Sequence, residues 1–272
     1  MKSVQNICEK VKSRFCAPPV SSEGKARISL DYKILVGTHH KTGTVWMASI
    51  FKQLCNELGL VYYGGLEENI PATFDVWFED HSRFGEHMMN DGWRGLHIIR
   101  DPRDVIVSAC FYHQKSSEPQ LHVPKKEFRG MTYQEKLCSF PTVDDQLLFS
   151  MENSAGSTVR DIVSWDYRQS NFLNVKYEDL MTDVDLLLFH RIFTFLGFPG
   201  EAIPCALQSA YDNSLFSGKV STGHIRSGKS QQWRSYFKPV HKSRFQELFG
   251  DALVKLGYED NNNWTCAEYR DV

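Results

Sequence analysis

The densest chemistry in this chain lies between residues 34 and 47. Ile34, Leu35 and Val36 are followed by Gly-Thr-His-His-Lys-Thr-Gly-Thr-Val-Trp-Met. The apolar triplet predicts a short buried strand, and Thr38 to Thr44 predicts a turn that opens a helix. Such a turn leaves backbone N–H groups aimed at one spot, with the positive end of a helix dipole behind them. Lys41 adds a full positive charge, Thr42 and Thr44 add hydroxyl donors, and Gly43 lets a ligand approach the backbone closely. Together they suit a phosphate-like anion and imply a nucleotide. The order departs from the common P-loop, in which a Gly and four residues precede Gly-Lys-Ser/Thr. Here Lys41 precedes Gly43. A strand-to-helix turn that binds nothing is the alternative.

Residues 95 to 113 repeat the strand, turn and helix plan. Leu96 to Ile99 form the strand, Asp101 suits an N-cap, and Pro102 suits the first helical position. Arg100 then stands at the carboxyl end of a strand, where ligands bind in open α/β sheets. Ser108 lies two turns into the helix. Arg grips a phosphate through two parallel hydrogen bonds, which Lys cannot do. An ion pair from Arg100 to Asp101 or Asp104 is the competing reading. A third stretch, Arg226-Ser227-Gly228 followed by Trp233, offers side-chain and backbone donors together.

These stretches resemble the sulfotransferases that use 3′-phosphoadenosine 5′-phosphosulfate (PAPS). Thr38 to Trp46 is similar to that family's loop around the 5′-phosphosulfate, and Arg100 to Ser108 to its 3′-phosphate motif. Arg226, Gly228 and Trp233 keep the spacing of its late Arg- and Gly-containing loop. Tyr177-Glu178-Asp179 follows a predicted strand, as the family's Tyr-Glu-Asp does. The resemblance implies that Lys41 contacts the bridging oxygen and the sulfonate. It implies that Thr42, Gly43, Thr44 and Val45 bind the 5′-phosphate mainly through backbone N–H groups, Val45 lacking the hydroxyl of the family's second Thr. Trp46 would pack on the adenine, Tyr177 would touch its edge, and Tyr211 would stack on it. Arg100 and Ser108 would hold the 3′-phosphate, with Arg226, Ser227 and Gly228 closing over it.

The implied chemistry is in-line sulfonyl transfer from PAPS to an acceptor hydroxyl or amine. Positioning and electrostatic stabilisation carry most of the rate in the comparable phosphoryl transfers. A base must take the acceptor's proton, worth roughly 10²- to 10⁴-fold. By resemblance His81 is that base, at the end of Val76-Trp77-Phe78-Glu79-Asp80-His81. Glu79 stands where the family often has Lys, so Glu79 or Asp80 is an alternative base, as is His87. No metal is required, and no metal-ligand cluster is evident in the sequence.

The chain has 272 residues and a formal charge of −2, which suits one domain with a sizeable core. A near-neutral balance argues against a general nucleic-acid binder. Seven scattered cysteines without a Cys-x-x-Cys fit reduced thiols in the cytoplasm. No run approaches the ~18 apolar residues of a membrane span, and Met1 to Val20 lacks a signal-like apolar stretch. Golgi members of the superfamily usually carry an anchor, so the cytosolic type is expected.

The elements that must position these residues alternate. Strands are predicted at about 32–37, 74–79, 95–99 and 172–176. Helices are predicted at about 43–58, 102–112, 144–168, 183–196, 200–212 and 241–256. Residues 62–71 and 113–142 read as loops. The pattern predicts an α/β fold, a mostly parallel sheet with helices on both faces. Residues 1–30 read as a lead-in, 31–260 as one domain and 261–272 as a tail. The loops carry Tyr62, Tyr63, Trp93, Phe111, Tyr112, Phe128, Tyr133 and Phe140, which suit a small ring-containing acceptor. Glu67 and Glu68 either favour a cationic acceptor or are solvated charges. The family's C-terminal dimer motif is not preserved around Lys238-Pro239-Val240, which leaves the oligomeric state open. Two other functions stay open: a kinase with a variant P-loop, which would need Mg²⁺, and a nucleotide binder that has lost its base.

Overall fold

The computed structural model describes residues 27–85, 92–218 and 230–266. In chain order its strands and helices are β1 (Lys33–Gly37), α1 (Thr44–Leu58), β2 (Tyr62–Gly64), β3 (Val76–Glu79), β4 (Trp93–Ile99), α2 (Pro102–His113), α3 (Tyr133–Cys138), α4 (Val143–Glu152), α5 (Ser154–Ser164), β5 (Phe172–Lys176), α6 (Tyr177–Thr182), α7 (Leu187–Phe195), α8 (Ile203–Asp212), α9 (Pro239–Phe249) and α10 (Ala252–Lys255). They divide into two compact units, one of residues 27–85, 92–99 and 166–218, the other of residues 100–165 and 230–266. Among the described residues no helix is long and apolar enough to cross a membrane.

The first unit holds a five-stranded sheet in the order β2-β3-β1-β4-β5, with every neighbouring pair parallel. Ile34, Leu35 and Val36 are fully buried, as expected for a strand covered on both faces. Side chains alternate between the faces. Ile34, Val36, Phe78, Leu96 and Ile98 join one core with Met47, Ile50, Phe51 and Leu54 of α1 and with Phe189, Ile192 and Phe193 of α7. In the second unit, Ile106, Val107 and Cys110 of α2 pack with Leu147 and Met151 of α4, Val159 of α5, and Trp233, Phe237, Phe245 and Trp264.

The parallel α/β sheet is the one the alternation predicts, but five spans differ. The loop expected at 62–71 contains edge strand β2, because Tyr62 and Tyr63 pair with Val76 and Trp77. The loop expected at 113–142 contains α3, started by a capping box in which the Thr132 hydroxyl accepts from Glu135 N–H at 3.1 Å and the Glu135 carboxylate accepts from Thr132 N–H at 2.8 Å. The single helix expected at 144–168 breaks at Asn153 (φ −118°, ψ −119°) and stops at Ser164. The helix expected at 183–196 starts at Leu187, where the Asp183 carboxylate accepts from Leu188 and Phe189 N–H at 2.9 Å each. The helix expected at 241–256 is two helices parted at Gly250, whose φ is +58°.

Gly95 faces Phe172 across the β4–β5 register, and a Cβ there would run into the Phe172 ring. Gly95→Ala should therefore destabilise the protein by about 1–3 kcal/mol. Denaturant unfolding reads this directly; an unchanged midpoint would show that the ring moves aside without cost.

Candidate active site

β1, β3 and β4 end side by side. Gly37 is in register with Glu79 on one side and with His97 on the other, and His97 is in register with Asn174 of β5. The chain leaving these ends forms the crevice side of a parallel sheet. After Gly37 the loop folds around the main chain of His39. The His39 carbonyl accepts from Thr42 N–H at 3.0 Å, from the Thr42 hydroxyl at 2.9 Å and from the Thr44 hydroxyl at 3.0 Å. The His39 N–H donates to the Thr42 hydroxyl oxygen at 2.8 Å. The two hydroxyls expected to face an anion thus donate inside the loop. Lys41 and the first N–H groups of α1 stand at the same turn. The turn requires left-handed backbone at Lys41 (φ 68°) and at Gly43 (φ 101°). Lys41 bears a Cβ, so it holds a sparsely populated conformation of the kind that clusters at functional sites.

The segment after β3 packs directly on this loop. The Ser82 hydroxyl donates to the Thr38 carbonyl at 2.9 Å. A Cβ on Gly37 would stand 2.6 Å from Ser82 Oγ, so a glycine is required there. His81 sits in this turn, with 41% of its side chain exposed and its Nε2 3.9 Å from an Asp80 carboxylate oxygen. Glu79 is 3% exposed. Its carboxylate accepts from the main-chain N–H of His81 at 3.0 Å and of Arg83 at 2.6 Å. Burial raises the Glu79 pKa, and those two hydrogen bonds act against the rise. Glu79 therefore shapes the turn that presents His81.

Trp46, on the first turn of α1, meets Tyr177 edge-on at 6.1 Å and Phe189 at 5.9 Å. A Cβ on Gly43 would stand 3.0 Å from the Tyr177 ring. Gly43, Trp46 and Tyr177 thus come together at the head of α1. The indole Nε1 of Trp46 is buried and has no hydrogen-bond partner among the described residues. Val45 is 57% exposed on the same turn. Tyr211 lies at the end of α8, beside Phe216 at 6.1 Å.

In the second unit Arg100 directly precedes α2 and is 6% exposed, with its guanidinium 3.6 Å from Asp104 Oδ2. Asp101 caps α2, accepting from Arg103 N–H at 2.9 Å. It also accepts from the Arg103 guanidinium at 3.0 Å and 2.7 Å. Arg103 lies 3.7 Å over Trp233, whose N–H donates to Asp104 at 2.9 Å. Trp233 is therefore a core residue that ties its segment to α2. Ser108 is half-buried on α2. Arg226, Ser227, Gly228 and the alternative base His87 lie outside the described residues.

One group was not foreseen from the sequence. His39 and His97 are 1% and 0% exposed, and their Nε2 atoms are 2.8 Å apart. His97 Nδ1 lies 2.8 Å from Asn174 Oδ1. The available signal was polar residues inside apolar strands, Leu-His-Ile and Leu-Asn-Val, at matching register. Burial lowers the pKa of His97 from 6.5 to about 4, and lowers that of His39 as well. Between those values the folded state binds fewer protons than the unfolded chain, so stability should fall as the pH drops from 6.5 towards 4. Comparing thermal unfolding of wild type and His97→Gln isolates this effect. The variant should lose less stability over that window, and parallel pH profiles would contradict it.

With this geometry in view, comparison with known proteins is informative. The sulfotransferase domain model matches residues 80–257, a span that starts at Asp80 and leaves the 38–46 loop outside it. Human Sulfotransferase 2A1 is 22% identical over 264 residues, covering 84% of this chain and 87% of its own. Mouse sulfotransferase SULT7A1, solved in complex with PAP, shares the fold at a TM-score of 0.55 and 17% identity, over 89% of this chain and 93% of its own. A retinol dehydratase solved with androsterone and inactive cofactor PAP gives 0.52 and 16% identity, over 83% and 82%. The domain match covers well over half of the sequence, and the chain belongs to the sulfotransferase family of enzymes.

Proposed function

We propose that this enzyme moves a sulfonate group from PAPS to a hydroxyl or amine of a small, ring-containing acceptor, with residues 31–260 acting as one catalytic domain in the cytoplasm. The donor supplies an activated sulfonate whose departure leaves 3′-phosphoadenosine 5′-phosphate (PAP). The protein must hold both ends of that molecule, neutralise charge on the leaving phosphate and take the acceptor's proton.

The observation that carries this reading is the tie between Ser82 and Thr38, which joins the His81 turn to the Lys41 loop. The head of α1 fits the donor. Gly43 leaves a cradle that a Cβ would crowd against Tyr177, and Trp46 brings a buried N–H that no described residue accepts. Lys41, with the N–H groups of Thr42 to Trp46, would hold the 5′-phosphosulfate and stabilise charge as the S–O bond breaks. Trp46, Tyr177 and Tyr211 would contact the adenine. Arg100 and Ser108, with Arg226, Ser227 and Gly228, would hold the 3′-phosphate.

His81 is the base in this scheme. Its ring is accessible, whereas the Glu79 carboxylate is buried and engaged with two main-chain N–H groups. The acceptor class follows androsterone and retinol, the ligands named with solved retinol dehydratase; the loop aromatics expected to line an acceptor pocket are instead largely in strands, helices and cores.

Three outcomes test this proposal. Lys41→Ala should lower turnover on the order of 10²-fold, with a smaller loss of PAP affinity, in steady-state kinetics and calorimetry. Arg100→Ala should weaken PAP about tenfold while leaving AMP nearly unchanged, because AMP lacks the 3′-phosphate; equal weakening of both would remove Arg100 from the site. His81→Ala should cost roughly 10²- to 10⁴-fold in turnover without altering PAP binding. Wild-type turnover in that variant would rule out His81 as the base.

A further inference from the structure

A row of polar side chains runs through the interior beneath the Lys41 loop. Asn174 of β5 contacts His97 of β4, and His97 contacts His39 at the start of the loop, each at 2.8 Å. His39 is also the loop's main-chain hub, with three donors on its carbonyl and its own N–H on Thr42. The orientation of one imidazole therefore bears on the path of the chain from Thr38 to Thr44.

The row has a definite polarity. With Asn174 Oδ1 2.8 Å from His97 Nδ1, both contacts are satisfied when His97 carries its proton on Nδ1 and offers Nε2 as an acceptor. His39 must then carry its proton on Nε2, where it donates to His97. The terminal atom, His39 Nδ1, is buried and has no partner among the described residues. With this polarity it is a bare lone pair. The reverse polarity would leave a buried N–H donor there, which is the rarer arrangement in proteins. Both rings are held neutral by burial. The titratable groups facing His39 are His97, His81 and Arg83, while Asn174 and the Tyr167 ring face His97.

We propose that Asn174 and His97 are positioning residues for donor binding: they set the tautomer of His39, and through its main chain they hold the 38–44 loop in the shape that receives the phosphosulfate. Neither touches the donor. This rests on the donor reading above, so its test separates the two.

Nitrogen-15 imidazole spectra of the full chain at neutral pH should give His97 as the Nδ1–H tautomer and His39 as the Nε2–H tautomer. The reverse assignment, or two protonated rings, would overturn the proposal whatever the donor is. Calorimetry with PAP then tests the functional half. His97→Leu and Asn174→Leu should each weaken PAP about tenfold, and together no more than the larger single effect, because both break one row. His97→Gln can donate to Asn174 and accept from His39, and should bind within about twofold of wild type. If His97→Leu does not fold, Asn174→Leu and His97→Gln carry the comparison. Full PAP affinity in folded Asn174→Leu would refute the positioning role. Absence of PAP binding in wild type would instead refute the donor reading, and the spectra would still decide the tautomers.

Discussion

Two chain segments approach so closely at Gly37 that any side chain there would collide with Ser82. That approach lets the Ser82 hydroxyl reach the Thr38 carbonyl, so the turn after β3 is joined to the loop after β1. Everything at the crevice side of the sheet depends on it. His81 is presented by a turn that Glu79 ties from within, and Lys41 by a loop that folds on His39. A parallel sheet brings strand ends together, but it does not by itself hold the following loops at a fixed separation. Here a missing Cβ and one hydrogen bond do so.

The loop also illustrates how polar satisfaction redirects side chains. Thr42 and Thr44 have the residue types of anion ligands, yet both hydroxyls bond to His39. The buried His39 N–H has the Thr42 hydroxyl as its acceptor, and orphaning a buried donor costs about 1–3 kcal/mol, against about 1 kcal/mol net for an ordinary internal hydrogen bond. The tight turn buries the His39 main chain, so the hydroxyls are drawn inward. Lys41 and the N-terminus of α1 stand at the same turn, and groups of this kind attract negative charge without selecting one oxyanion over another.

The second unit shows a similar division of labour within one short motif. Asp101, Arg103 and Asp104 are absorbed by architecture. Asp101 caps α2 and accepts from Arg103, Arg103 lies over Trp233 and Trp264, and Asp104 holds the Trp233 main chain. Burying these charges is tolerable because each has an opposite charge or a hydrogen bond beside it. Arg100 lies beside this cluster, its guanidinium 3.6 Å from Asp104.

The local code was legible wherever a residue acts on its own neighbourhood. The apolar triplet at 34–36, Asp101 with Pro102 at a helix start, and the alternation of strands with helices led to β1, α2 and a parallel sheet. The strand, turn and helix plan at 34–47 and the place of Arg100 between β4 and α2 were visible because an apolar run, a glycine or proline and a strand end fall within a few residues. The helix break at Asn153 and edge strand β2 were not visible, the strand because it answers to pairing with β3, whereas the break at Gly250 carried a local signal, a glycine that takes φ +58°. His39, His97 and Asn174 lie as far as 135 positions apart in the chain, and only parallel register brings them into one row. The sequence alone determined which chemical groups the chain owns and which strands carry them. Tertiary structure decided which of those groups bond to one another, because burial makes every unmet hydrogen bond costly and so assigns the partners.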